Sequence, residues 1–185
     1  MRFLLLPFLL LTYAWAADDT SVGAFTRKVE EFSKLRDAAG AKVGSLPKAA
    51  TPEQIQAQQA KLLVEIRAQR MNAKQGDIFT PDVQPLFRKI LKDNFTGSDK
   101  KDSRDTARQG NPANDQEKGE TAPTVAVNAA YPKSAPLSTV PPLLLLELPK
   151  LSKDIEYRFV GQTLILWDNV SNIILDYMKG AAPGV

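Results

Sequence analysis

A chain of 185 residues with 24 basic and 21 acidic side chains, a formal charge of +3 and 43% hydrophobic residues has room for one ordinary domain, or a small domain with appendages. Its mixed surface offers no dense cationic face, which argues against nucleic acid as a partner. The absence of cysteine and histidine excludes disulfides, thiolate nucleophiles, Ser-His-Asp and Cys-His arrangements and the commonest transition-metal ligands, and no cofactor is implied.

Residues 1–16 read as a signal peptide. Arg2 precedes an apolar run from Phe3, and Ala14-Trp15-Ala16 places small residues where a signal peptidase reads, so cleavage is expected between Ala16 and Ala17. The run of roughly 15 residues falls short of the ~20 that a membrane span needs, so no stable span is expected after cleavage. The mature chain is expected to be exported, periplasmic or secreted.

Residues 17–96 form a helical region. Val22, Phe25, Val29, Phe32 and Leu35 recur at helical spacing, predicting an amphipathic helix that stops at Gly40. The stripe suits core packing better than a membrane-surface face, because its polar side mixes both signs. Thr51-Pro52-Glu53-Gln54 combines an N-cap, a first-turn proline and a capping-box glutamine, starting a second helix that runs to about Asn72 with Ile55, Leu62, Leu63 and Ile66 inward. After Gln75-Gly76-Asp77, a third helix carries Val83, Leu86, Phe87, Ile90, Leu91 and Phe95. Its Pro85 means that it begins near Gln84 or has an irregular first turn.

Residues 97–124 hold almost nothing that can be buried and read as a flexible polar linker, although Lys100 to Arg108 could extend the third helix. The C-terminal module, residues 125–180, opens with a candidate strand at Val125–Asn128. Val140-Pro141-Pro142 then leads into LLLLELP, a helix of about two turns whose leucines are expected to cover one face of a sheet. From Tyr157 to Met178 three apolar runs are separated by gaps of two and four residues, predicting a three-stranded antiparallel meander. Gly161-Gln162 suits a two-residue turn with positive φ at its first position. Strict alternation sets Ile173, Leu175 and Tyr177 on one face and Ile174, Asp176 and Met178 on the other. The class is α+β: amphipathic helices, a polar linker and a small meander with a short leucine-rich helix.

Four segments, QGDIFTP (Gln75 to Pro81), VNAAYP, APLSTVPPLLLLELP and EYRFVGQTLILWDNVSNIILDYM, together resemble a family of uncharacterised exported bacterial proteins over most of the mature chain. The resemblance implies export and no particular activity. The Tyr157-to-Met178 pattern is also loosely similar to the C-terminal strands of periplasmic nickel/cobalt-homeostasis proteins. That likeness implies a shape and not a metal role, since this chain has no histidine.

Paired carboxylates are the catalytic parts available. Asp168 and Asp176 flank the second turn, where a glycosidase would need two carboxylates facing one cleft; otherwise they are a turn residue and a strand-edge or surface residue. Asp77 and Asp82 bracket Thr80 and suit helix capping. Asp168-Asn169-Val170-Ser171-Asn172 is faintly like a calcium loop without its closing glutamate. Tyr157, Arg158, Trp167 and Tyr177 could make an aromatic and cationic patch that grips a peptide or glycan, or else pack in the core. The function expected is non-enzymatic binding or scaffolding of a protein or envelope polymer, through the face bearing Arg158 and Trp167 or through the free sheet edge. The alternative is a carboxylate-dependent hydrolase acting on envelope glycans.

Overall fold

The computed structural model describes residues 13–112 and 123–185, with side chains from residue 20 onward. The described helices are α1 (Tyr13–Val43), α2 (Pro52–Gln69), α3 (Gln84–Phe95), α4 (Lys101–Arg108) and α5 (Pro142–Glu147). They precede β1 (Ile155–Val160), β2 (Thr163–Asp168) and β3 (Ile173–Met178), which form an antiparallel sheet in the order β1-β2-β3. The α+β class and the meander are as the sequence predicts. Most of the signal segment lies outside the described residues, and the Ala16–Ala17 junction falls in the first turn of α1. No helix among the described residues is long and apolar enough to cross a membrane.

Gly40 does not end α1. The helix continues to Val43, and Gly44, with φ of 88°, closes it by donating its amide to the Gly40 carbonyl at 3.0 Å. A glycine inside a helix costs only about 1 kcal/mol, and burial of Phe25, Val29, Phe32 and Ala39 on the same helix outweighs it. The capping box of α2 forms as expected: Gln54 N donates to Thr51 Oγ1 at 3.3 Å, and Thr51 N donates to Gln54 Oε1 at 2.9 Å. Leu62 and Ile66 face the core, but Ile55 is 42% exposed, because the first turns of α2 extend past it. α3 starts at Gln84, so Pro85 lies in the first turn, where no intrahelical amide bond is lost.

The stretch read as a linker is partly built structure. After a short 3-10 turn at Ser98–Lys100, α4 packs Ala107 into the core; Arg104 donates to the carbonyl oxygens of Phe95 and Gly97, and Arg108 to that of Gly184. Asn111 is fully buried and grips Gly161 from both sides, accepting its amide at 2.7 Å and donating to its carbonyl at 3.0 Å. Few apolar residues are needed when so many backbone groups are captured by side chains. Residues 113–122 lie outside the described residues.

One core joins helices and sheet. Phe25 of α1, Phe79 of the connecting loop and Phe87 of α3 stack with ring centroids 5.0–5.6 Å apart; Phe87 also reaches Tyr157 of β1 at 6.0 Å, and Phe95 meets Phe159 at 5.6 Å. Ile155, Tyr157, Phe159, Leu164, Leu166, Ile173 and Leu175 supply the sheet's side of this core. The opposite face carries a smaller cluster of Val160, Ile165, Trp167 and Ile174, closed by Tyr131 and its neighbours. No strand forms at Val125–Asn128. The following chain instead clips the outer side of β3, through Asn128 N to Ile174 O at 2.9 Å, Ile174 N to Ala129 O at 2.8 Å and Tyr131 N to Asn172 O at 3.1 Å.

Strict alternation fails in β3. Trp167 pairs with Ile174 but Leu166 pairs with Asp176, so a bulge inserts Leu175. Past the bulge the faces exchange: Asp176 and Met178 turn toward the helices, and Tyr177 joins the outer cluster.

Candidate functional site

The two meander carboxylates face the helical layer and are fully buried. Asp168 is brought there by its pairing with Ile155, Asp176 by the bulge. Asp168 Oδ1 accepts from Arg36 Nη1 of α1 at 2.7 Å, while Oδ2 accepts from the Ser171 amide at 2.8 Å and its hydroxyl at 2.5 Å. Arg36 also bonds Asp37 at 3.1 Å and lies 3.9 Å from Asp154. Burial works against the Arg36 charge, but hydrogen bonding and attraction from Asp168, then Asp37, outweigh it and raise its pKa. The Asp168–Asn172 loop is therefore an Asx-type turn locked by Ser171, its carboxylate turned inward.

Asp176 binds four amides. Oδ1 accepts from Gly76 N at 2.9 Å and Tyr177 N at 2.8 Å; Oδ2 accepts from Ile78 N and Phe79 N, both at 2.8 Å. It thus fastens the loop before α3 onto β3. Arg70 lies nearby, donating to Leu175 O at 3.0 Å with its guanidinium 5.1 Å from the Phe32 ring centroid. Burial lowers the Arg70 pKa, and attraction from Asp176 and Asp77 offsets only part of that. Asp77 caps the preceding turn by accepting from Lys74 N at 2.9 Å. Each meander carboxylate is spent on internal bonds, so the two do not face a common cleft as a hydrolase pair must.

The aromatic and cationic patch does not exist as one surface. Tyr157 and Trp167 are 4% and 9% exposed and lie on opposite faces of the sheet. The Tyr157 hydroxyl donates to Pro149 O at 2.8 Å; Trp167 Nε1 donates to Asn172 Oδ1 at 3.0 Å; the Tyr131 hydroxyl donates to Pro136 O at 2.6 Å. Trp167 and Tyr131 do rim a shallow depression of about 310 Å³, but at 9% and 3% exposure they belong to the outer cluster and leave little ring surface for stacking. Arg158 donates to Ser138 O at 3.0 Å and pairs with Glu156, which also accepts from Asn169 Nδ2 at 2.9 Å. Burial raises the pKa of both phenols, Tyr131 to about 12 despite the nearby Arg158 charge and Tyr157 well above 10.

What remains open is the β1 edge. A cleft of about 510 Å³ runs along Ile155–Arg158 and is walled by Thr139, Leu145, Lys150 and Leu151. Only Leu144 and Leu148 of the leucine run are buried; Leu143, Leu145 and Leu146 are 67%, 47% and 83% exposed. The helix is too short to bury more than one stripe, so four successive leucines leave apolar side chains in solvent. Sequence periodicity could not reveal this surface, because a run of identical residues has no phase. No family model, curated protein or solved structure matches this chain.

Proposed function

We propose that this chain is an exported, non-enzymatic binding protein of the cell envelope that holds a protein partner in the cleft between the β1 edge and α5. The observation that carries this reading is a cleft of about 510 Å³ on a sheet edge, lined from α5 by the exposed Leu145, with Leu143 and Leu146 of the same helix exposed as well. Isolated exposed leucines are ordinary, but three on one short helix, one of them lining a concave sheet edge, are characteristic of an interaction surface. Export rests on the sequence of residues 1–17. The burial and full bonding of Asp168 and Asp176 favour this reading over a glycan hydrolase built on that pair.

A photo-reactive residue at position 145, compared in the native host with one at position 64, tests this. Val64 is an equally apolar control, 66% exposed on α2. Discrete adducts from position 145 and none from position 64 are expected. Equal labelling at both positions, or a strictly solitary monomer at both, would overturn the proposal.

A further inference from the structure

The edge backbone defines what the cleft can hold. In β1 the Phe159 amide points away from β2, donating to Ser138 Oγ at 2.6 Å. Tyr157, two residues earlier, has the same orientation, so its N–H and C=O also point outward, into the cleft. Neither has a partner among the described residues. The Ile155 amide is closed by Ser152 O at 3.2 Å. The open edge is therefore bounded by Ser138 at one end and Ser152 at the other, a stretch of about 13 Å from Ile155 to Phe159 at ~3.3 Å per residue. The outer side of β3, by contrast, is already clipped by residues 128–131.

We infer that this cleft accepts a single extended peptide segment of about four residues that adds to β1 through the Tyr157 N–H and C=O, seats an apolar side chain on Leu145 and Leu151, and directs a carboxylate to Lys150. This rests on the reading of the cleft as the binding surface and names its occupant. A second copy of β1 does not fit, because it would bring its own flanking walls, residues 138–140 and 149–152, against those of the first. The charge preference follows from the rim. Glu156 is engaged by Arg158 and Asn169, whereas exposed Lys150 has no acidic partner among the described residues. A peptide of mixed aliphatic and acidic residues complements that imbalance; a basic one opposes it.

The test uses the full chain and three blocked hexapeptides: alternating valine and glutamate, the same peptide N-methylated at its central amides, and alternating valine and lysine. The first is expected to bind and to slow hydrogen exchange at the Tyr157 amide at least tenfold. N-methylation should weaken binding at least tenfold, and the lysine peptide should bind more weakly than the glutamate peptide, a preference that the Lys150→Glu variant should reverse. A peptide that binds equally well when N-methylated, leaves the Tyr157 amide unprotected, or fails to bind at millimolar concentration would overturn the inference. If adducts still form specifically from position 145 in the host, that failure removes strand addition alone; their absence removes the cleft as a binding surface as well.

Discussion

Replacing Asp176 with Asn exchanges one oxygen of a buried side chain for an NH2 group and tests whether this carboxylate is a fastener. Each of its oxygens accepts two backbone amides: Gly76 and Tyr177 on one, Ile78 and Phe79 on the other. An asparagine can keep only one oxygen, and flipping the amide merely exchanges the pair that it abandons. Two buried N–H groups must then face an NH2 donor in either orientation. At about 1–3 kcal/mol for each unsatisfied group, the loss is about 2–6 kcal/mol, a large share of the ~5–15 kcal/mol that typically holds a domain folded. With a urea slope of ~2 kcal/mol/M, the midpoint should fall by about 1–3 M with the slope itself unchanged. Hydrogen exchange of one pair of amides, Gly76 and Tyr177 or Ile78 and Phe79, should accelerate more than that of the α2 core amides. A midpoint within about 0.3 M of the parent, or both pairs of amides still protected, would refute the reasoning.

Four further outcomes are expected. Phe87→Ala, which removes the ring shared by Phe25, Phe79 and Tyr157, should cost about 3–5 kcal/mol in urea denaturation. Gly40→Ala should raise stability by about 0.5–1 kcal/mol, since nothing lies within 4 Å of the added carbon and the helix continues past it; a helix-ending glycine would give a loss. Arg36→Met and Asp168→Asn should each cost about 3–5 kcal/mol by leaving the other's charge or polar group unpaired, and the double variant should cost less than the two together. The tyrosines give a pH signature. Their folded-state pKa values lie above the unfolded value near 10, so their contribution is complete below pH 10 and is lost as pH climbs from 10 to about 12 and beyond. Melting temperatures should decline over that window, and Tyr131→Phe and Tyr157→Phe should flatten the decline while starting lower at pH 7 for want of the bonds to Pro136 and Pro149.

Local signals were readable where local chemistry decides. The Thr51–Gln54 capping box, the start of α3 at Gln84 and the Gly161-Gln162 turn, where Gly161 has φ of 57°, depend on residues within a few positions of one another. The features that were hidden depend on partners far along the chain. Asp176 looks like a surface strand residue until a bulge turns it toward amides about a hundred positions earlier, and nothing in IILDYM marks the bulge. Asp168 reads as a turn residue because Arg36 is 132 positions away. α4 looks like a linker because its anchors are arginines reaching backbone carbonyls, which composition scores as polar. Tyr157 and Trp167 stand near each other in sequence, yet their faces diverge across the sheet, so the expected patch dissolves while the free edge remains.

The central claim is that recognition belongs to the β1 edge and α5, and its most direct test is the Tyr157 amide observed by hydrogen exchange before and after the host partner is bound. That amide should exchange rapidly in the free protein and become protected in the complex, with Leu145 resonances shifting alongside it. A Tyr157 amide unaffected by a partner that demonstrably binds elsewhere on the surface would contradict the account.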